Sequence, residues 1–167
     1  IGACKQAIKI NPDDAEANAI LGRIYHDIGW HEEAIDAYKQ AIKVNPYVDE
    51  YVNLGVDYCI LGKYEDAIGA CKQAIKIKPN YADAYVNLGI AYYKLGKNKD
   101  AIEACKQAMK IKPDDADIHI NIGIFYHESG NHKKAIESFK QAISIDPDLA
   151  EVHYMLGGVY AFLKDKG

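Results

Sequence analysis

A proline returns at Pro12, Pro46, Pro79, Pro113 and Pro147, and a glycine at Gly22, Gly55, Gly89, Gly123 and Gly157. Each series contains three steps of 34 residues and one of 33. A spacing of that length, held along the whole chain, excludes one continuous helix and is the period of a stacked two-helix unit. Such a stack buries each unit on its neighbours and leaves long surfaces open, so the expected activity is binding rather than catalysis.

Other slots keep the same phase. Tyr25, Tyr58, Tyr92, Tyr126 and Tyr160 each stand three residues after one of those glycines, and a second glycine follows at Gly29, Gly62, Gly96 and Gly130. Alanines recur at Ala34, Ala67, Ala101 and Ala135, and again at Ala7, Ala41, Ala74, Ala108 and Ala142. A glycine inside a helix costs about 1 kcal/mol relative to alanine, so its recurrence implies close helix approach, with the tyrosine expected to fill the space beside it. The second glycine ends the first helix of each unit and the proline stops the second. Asp13, Asn80, Asp114 and Asp148, which follow prolines, are expected to cap the next helix. First helices are predicted over residues 15–28, 48–61, 82–95, 116–129 and 150–163, and second helices over 1–10, 31–44, 64–77, 98–111 and 132–145. The residue absent from the shorter step falls between Pro46 and Gly55, in a turn, so the helices keep their phase.

One unit reads Tyr85, Leu88-Gly89, Tyr92, Gly96, Ala101, Cys105, Ala108, Pro113. This pattern resembles the tetratricopeptide repeat (TPR) family, whose signature runs aromatic, Leu-Gly, Tyr, Ala, aromatic, Ala, Pro. Asn18, His119 and His153 depart from it in the leading aromatic slot, and Cys4, Cys71 and Cys105 in the later one. The resemblance implies an all-α fold, a right-handed superhelical solenoid of antiparallel helix-turn-helix units. It divides residues 1–167 into a second helix of a truncated unit (1–12), full repeats at 15–46, 47–79, 80–113 and 114–147, and the first helix of a fifth unit (148–167). Ile1–Ile10 matches Ile68–Ile77 letter for letter, so the chain is expected to be a fragment of a longer array or to have its ends completed by another molecule.

Composition narrows the partner. No apolar run approaches the ~18 residues of a membrane span, and no charged-then-apolar leader opens the chain. The formal net charge is −4 and Arg23 is the single arginine, which disfavours nucleic acid. Cys4, Cys71 and Cys105 recur in one slot, roughly 8 to 10 Å apart if helices stack normally, beyond the ~7 Å reach of a disulfide. They are expected to be buried free thiols of a cytoplasmic protein. His31 and His132 fall at turns, His119 and His153 replace a packing aromatic, and His26 and His127 share an exposed-leaning slot. His127 and His132 bracket a turn, but two imidazoles alone are read as surface groups. No His-Glu-x-x-His, Cys-x-x-Cys or phosphate-binding glycine loop occurs, so no catalytic residue, metal or cofactor is expected.

In the family that this sequence resembles, first helices line the concave face. Asn53, Asn87 and Asn121 each precede the repeat glycine by two residues and resemble the asparagine ladder of O-linked N-acetylglucosamine transferases. Their amides offer both donor and acceptor to a peptide backbone; the competing reading is that each bonds within its own repeat. Val52, Val56, Val86, Ile90, Ile120 and Ile124 are expected to floor the groove beside the ladder, with Arg23, Tyr93 and His127 in neighbouring slots. Contact with adjacent first helices is the alternative fate of those aliphatic side chains. Glu16, Asp49, Asp83, Asp117 and Glu151 suit N-terminal turns, and Lys5, Lys39, Lys72, Lys106 and Lys140 a solvated face. The basic clamp that TPR modules use on chaperone C-termini is absent apart from Arg23.

The resulting expectation is a protein-interaction scaffold holding an extended peptide or partner segment. Self-association through uncapped ends is a second reading, and the substrate-recruiting arm of a larger enzyme such as a glycosyltransferase a third.

Overall fold

The computed structural model describes residues 1–164, which form ten α-helices: α1 (Gly2–Ile10), α2 (Ala15–Asp27), α3 (His31–Val44), α4 (Val48–Ile60), α5 (Tyr64–Ile77), α6 (Ala82–Lys94), α7 (Asn98–Ile111), α8 (Ala116–Glu128), α9 (His132–Ile145) and α10 (Ala150–Lys164). Every bound falls within one residue of the sequence expectation. The chain is an all-α solenoid. The helix pairs α2/α3, α4/α5, α6/α7 and α8/α9 are the most closely packed, and each pair then packs on the next. The first helices α2, α4, α6 and α8 also touch in succession, whereas among the described residues the second helices form no comparable row. The first helices therefore make the inner wall. Among the described residues, no helix is long and apolar enough to cross a membrane.

The first helices α2, α4, α6 and α8 each end on a left-handed glycine. Gly29, Gly62, Gly96 and Gly130 have φ of 79°, 72°, 72° and 79°. At the first of these turns the Trp30 N–H reaches back to the Tyr25 carbonyl at 2.8 Å, which closes the helix and starts α3 directly behind it. Two of the expected N-terminal caps, Asp13 and Asp114, are replaced by the residue that follows, whereas after Asn80 the cap position is Tyr81, which makes no side-chain cap. Asp14 accepts from the Ala17 N–H at 2.9 Å and Asp115 from the Asp117 N–H at 3.1 Å. Pro12-Asp13 and Pro113-Asp114 are consumed by the preceding turn, which leaves the second acid of each pair at the cap.

The close approach within a pair is made by the repeat glycine and the later signature slot. A Cβ on Gly22 would lie 2.7 Å from Tyr38 Cδ1, on Gly55 2.9 Å from Cys71 Sγ, on Gly89 2.6 Å from Cys105 Sγ, and on Gly123 2.6 Å from Phe139 Cε1. The second helix, rather than the tyrosine three residues on, thus supplies the group over each glycine. Cys71 and Cys105 are fully buried, and burial pushes both thiols up to about 12.

The recurrent lysines do more than face solvent. Lys5 Nζ lies 5.7 Å from the Tyr25 ring centre, Lys39 5.6 Å from Tyr58, Lys72 5.9 Å from Tyr92 and Lys140 6.0 Å from Tyr160. Each places a cation from a second helix over the tyrosine of the next first helix. Acids at the first-helix starts also reach across: the Tyr81 hydroxyl donates to Asp49 at 2.5 Å, and Lys112 Nζ pairs with Asp83 at 2.9 Å.

Candidate binding groove

The inner wall carries a recess at the junction of α2, α3 and α4, a cavity of about 540 Å³ bordered by Ala19, Ile20, Arg23, Tyr38, Glu50 and Asn53. Arg23 is exposed and Asn53 half-buried. Glu50 Oε2 is buried and has no hydrogen-bond partner among the described residues. Desolvation raises the Tyr38 phenol far above its ordinary range, helped by the Asp57 carboxylate and opposed by the Arg23 guanidinium. The hydroxyl therefore keeps its proton and remains a donor. The recess combines a cation, a carboxylate, an amide and a hydroxyl over an aliphatic base.

One of the three column asparagines is bonded within its own helix. Asn121 Nδ2 donates to the Asp117 carbonyl at 2.9 Å, one turn back on its own helix, which is the competing reading realised at that position. Asn87 is half-buried like Asn53. The structure gives neither of these two amides a hydrogen bond to the described residues.

The expected aliphatic floor is largely used by the solenoid itself. Val52, only 8% exposed, is buried beside Ala74 and Ala84 and does not face a groove. Val86, Ile90 and Tyr93 are half-buried against a cluster containing Ala82, Ile118 and Phe125, and Tyr93 stacks on Phe125 at 4.8 Å. Ile120 and Ile124 pack towards Val152 and Val159. Val56 is half-buried. The physical reason is the direct contact between successive first helices, which takes up the second apolar stripe. His127 is likewise engaged, its Nδ1 lying 3.0 Å from His132 Nδ1 and its ring 5.9 Å from Phe162.

The polar substitutes in the leading aromatic slot bind carbonyls. Asn18 Nδ2 donates to the Asp14 carbonyl at 2.8 Å, while His119 Nε2 lies 2.9 Å from the Pro113 carbonyl and His153 Nε2 3.1 Å from that of Pro147. Tyr51 and Tyr85 hold this slot in the intervening units. Where the aromatic is missing, crevices of about 310 Å³ beside Asn18 and about 550 Å³ beside His119 open between second helices.

One buried polar cluster escaped sequence reasoning. Asp57 has no solvent exposure, and its Oδ1 lies 2.8 Å from His26 Nδ1 and 2.6 Å from His31 Nδ1. Its column otherwise holds Ile24, Ala91, Phe125 and Val159, so a carboxylate in an apolar series was the available signal.

Comparison with known proteins agrees with this architecture. Models described as tetratricopeptide repeat match residues 15–47 and 82–148, and one described as TPR repeat matches residues 55–96. No curated protein matches the sequence. Among solved structures, MamA is 31% identical with a TM-score of 0.82, covering 89% of this chain and 88% of that one. A thermophilic TPR protein in Thermus thermophilus is 24% identical at a TM-score of 0.79, with 95% and 87% covered. YrrB, described as a TPR protein with an unusual peptide-binding site, is 23% identical at a TM-score of 0.79, with 91% and 79% covered. At these identities the last two bear on the fold alone.

Proposed function

The chain belongs to the tetratricopeptide repeat family, and from that premise we propose that it is a non-catalytic interaction scaffold whose inner wall takes an extended peptide, anchored in the recess at Arg23, Glu50 and Asn53. The observation that carries this reading is the concentration there of polar atoms left without internal partners, Glu50 Oε2 above all. A buried acceptor without a partner costs about 1–3 kcal/mol, and a donor brought by a guest would recover it. The acids Glu16, Asp49 and Glu50 outnumber Arg23 around the recess, which favours a segment rich in donors, such as one with lysine or amide side chains.

Two free asparagines cannot supply the affinity by themselves. At about 0.5–1.5 kcal/mol each they fall short of the ~4 kcal/mol of millimolar binding. The rest must come from apolar contact at Ala19, Ile20 and Val56, at about 25 cal/mol per Å² buried. The test is a screen of randomised extended peptides by fluorescence anisotropy, repeated with Arg23→Ala and Glu50→Gln. Selected peptides that bind both variants as tightly as the parent chain would defeat the proposal.

A further inference from the structure

Asp57 is the residue whose presence the peptide-binding reading does not explain. Removing a carboxylate from water costs several kcal/mol after relaxation unless strong partners replace the solvent. At Asp57 one oxygen receives two imidazoles while Oδ2, also buried, has no partner among the described residues. A buried carboxylate so placed is half provided for.

The two imidazoles are delivered by the turn chemistry of the first complete unit. His26 lies in the last turn of α2 and His31 opens α3, and the left-handed Gly29 between them folds the chain back so that the rings meet at 5.7 Å with a 72° tilt. Asp57 comes from the next unit, on α4. The donor atoms of all three residues lie within 4.8 Å of one another.

We propose that His26, His31 and Asp57 form a binding site for a divalent first-row transition ion, which would fasten the α2–α3 pair to α4. Two nitrogens and one carboxylate oxygen form a donor set suited to Zn²⁺ or Co²⁺ rather than to Ca²⁺ or Mg²⁺, which prefer all-oxygen shells. Tetrahedral bonds of about 2.0–2.1 Å set ligand atoms roughly 3.3 Å apart. The hydrogen-bonded separations of 2.8 and 2.6 Å would need to widen by roughly half an ångström, which small imidazole rotations provide. The His26 and His31 side chains are 33% and 20% exposed and that of Asp57 not at all, so an ion would enter from the imidazole side, where water can complete its shell. The doubly positive ion would compensate the buried carboxylate, and Oδ2 could serve as a second oxygen ligand or accept from the metal-bound water.

The molecule contains its own control. His127 and His132 repeat the imidazole pair in the fourth full unit, with Nδ1 atoms 3.0 Å apart, but Val159 stands where Asp57 would be and the Phe162 ring lies 4.7 Å from that of His132. Two nitrogens against an apolar cover lack the charge that makes the first site selective.

The deciding experiment titrates the chelator-stripped chain with Zn²⁺ by calorimetry and with Co²⁺ by visible absorption, each followed by a melt. The expected result is one equivalent per chain, a raised Tm and a four- or five-coordinate Co²⁺ spectrum without a thiolate charge-transfer band. Asp57→Asn and His31→Ala should each weaken binding by more than ~100-fold, beyond the usual effect of outer-shell changes. His127→Ala should leave the equivalent in place. His26→Gln provides an independent variant if Asp57→Asn does not fold. Absence of saturable binding, unaltered affinity in the folded ligand variants, or a thiolate band would each overturn the proposal and leave a hydrogen-bonded His-Asp-His staple.

Discussion

The ring of Tyr38 fills the space that a Cβ on Gly22 would occupy, with only 2.7 Å between that position and Cδ1. The contact joins the two helices of one unit at their nearest point, and its equivalents recur at Gly55, Gly89 and Gly123. Gly22→Ala should therefore destabilise the fold by about 1–3 kcal/mol through overpacking. Gly69 provides the contrast: it lies in the exposed interior of α5, and nothing would approach its Cβ within 4 Å. Gly69→Ala should stabilise by about 0.5–1 kcal/mol. Urea denaturation of the two variants beside the parent chain measures both signs.

Asn53 and Asn121 occupy equivalent slots and should behave differently. Asn53→Ala removes an amide bordering the recess and should weaken peptide binding about fivefold or more, from ~1 kcal/mol per hydrogen bond. Asn121→Ala removes an amide already bonded within α8 and should leave affinity unchanged. Val52→Ala should cost roughly 2 kcal/mol of stability, since Val52 is buried rather than presented to a guest. Anisotropy and thermal melts on the three variants separate binding from folding.

Tyr81 should give the array a local alkaline sensitivity. Its hydrogen bond to Asp49 is the main cause holding the phenol up to about 12, above the ordinary 10.0. Between those values the unfolded chain loses a proton that the folded chain keeps, so this group's stabilisation is complete below pH 10.0 and fades as pH rises towards about 12. Asp49→Asn should bring the phenol down and remove that part of the decline. Near-ultraviolet tyrosinate absorbance, with melts along the same pH series, tests it.

The thiols should divide by depth. Cys71 and Cys105, buried and held up to about 12, are expected to resist a disulfide reagent until the chain unfolds. Cys4 and Cys59 are half-buried and should react first. Counting released chromophore with and without denaturant, and mapping the labelled sites by mass spectrometry, provides the check.

The helix map was legible because Pro12 and Gly29 and their equivalents act through backbone geometry, which does not depend on what lies across the interface. Side-chain fate did depend on it. Val52 and Ile120 present the same apolar pattern whether they meet a guest or a neighbouring helix, and the spacing between units decided for the neighbour. The lysines at 5, 39, 72 and 140 read as solvated because their partners, the tyrosines of the following unit, lie on another helix. Asp57 was missed for the opposite reason: a search for what repeats passes over the one residue that breaks a column. His26 and His31 were visible as residues, but the turn that joins their rings and the acid between them are properties of the folded chain.

The lysine-on-tyrosine contact recurs at most seams between units, each seam with its own latch and none shared with the next. Mechanical or thermal damage at one seam should accordingly stay there, so that the wall opens like a row of separate clasps and keeps its curvature on either side of the breach.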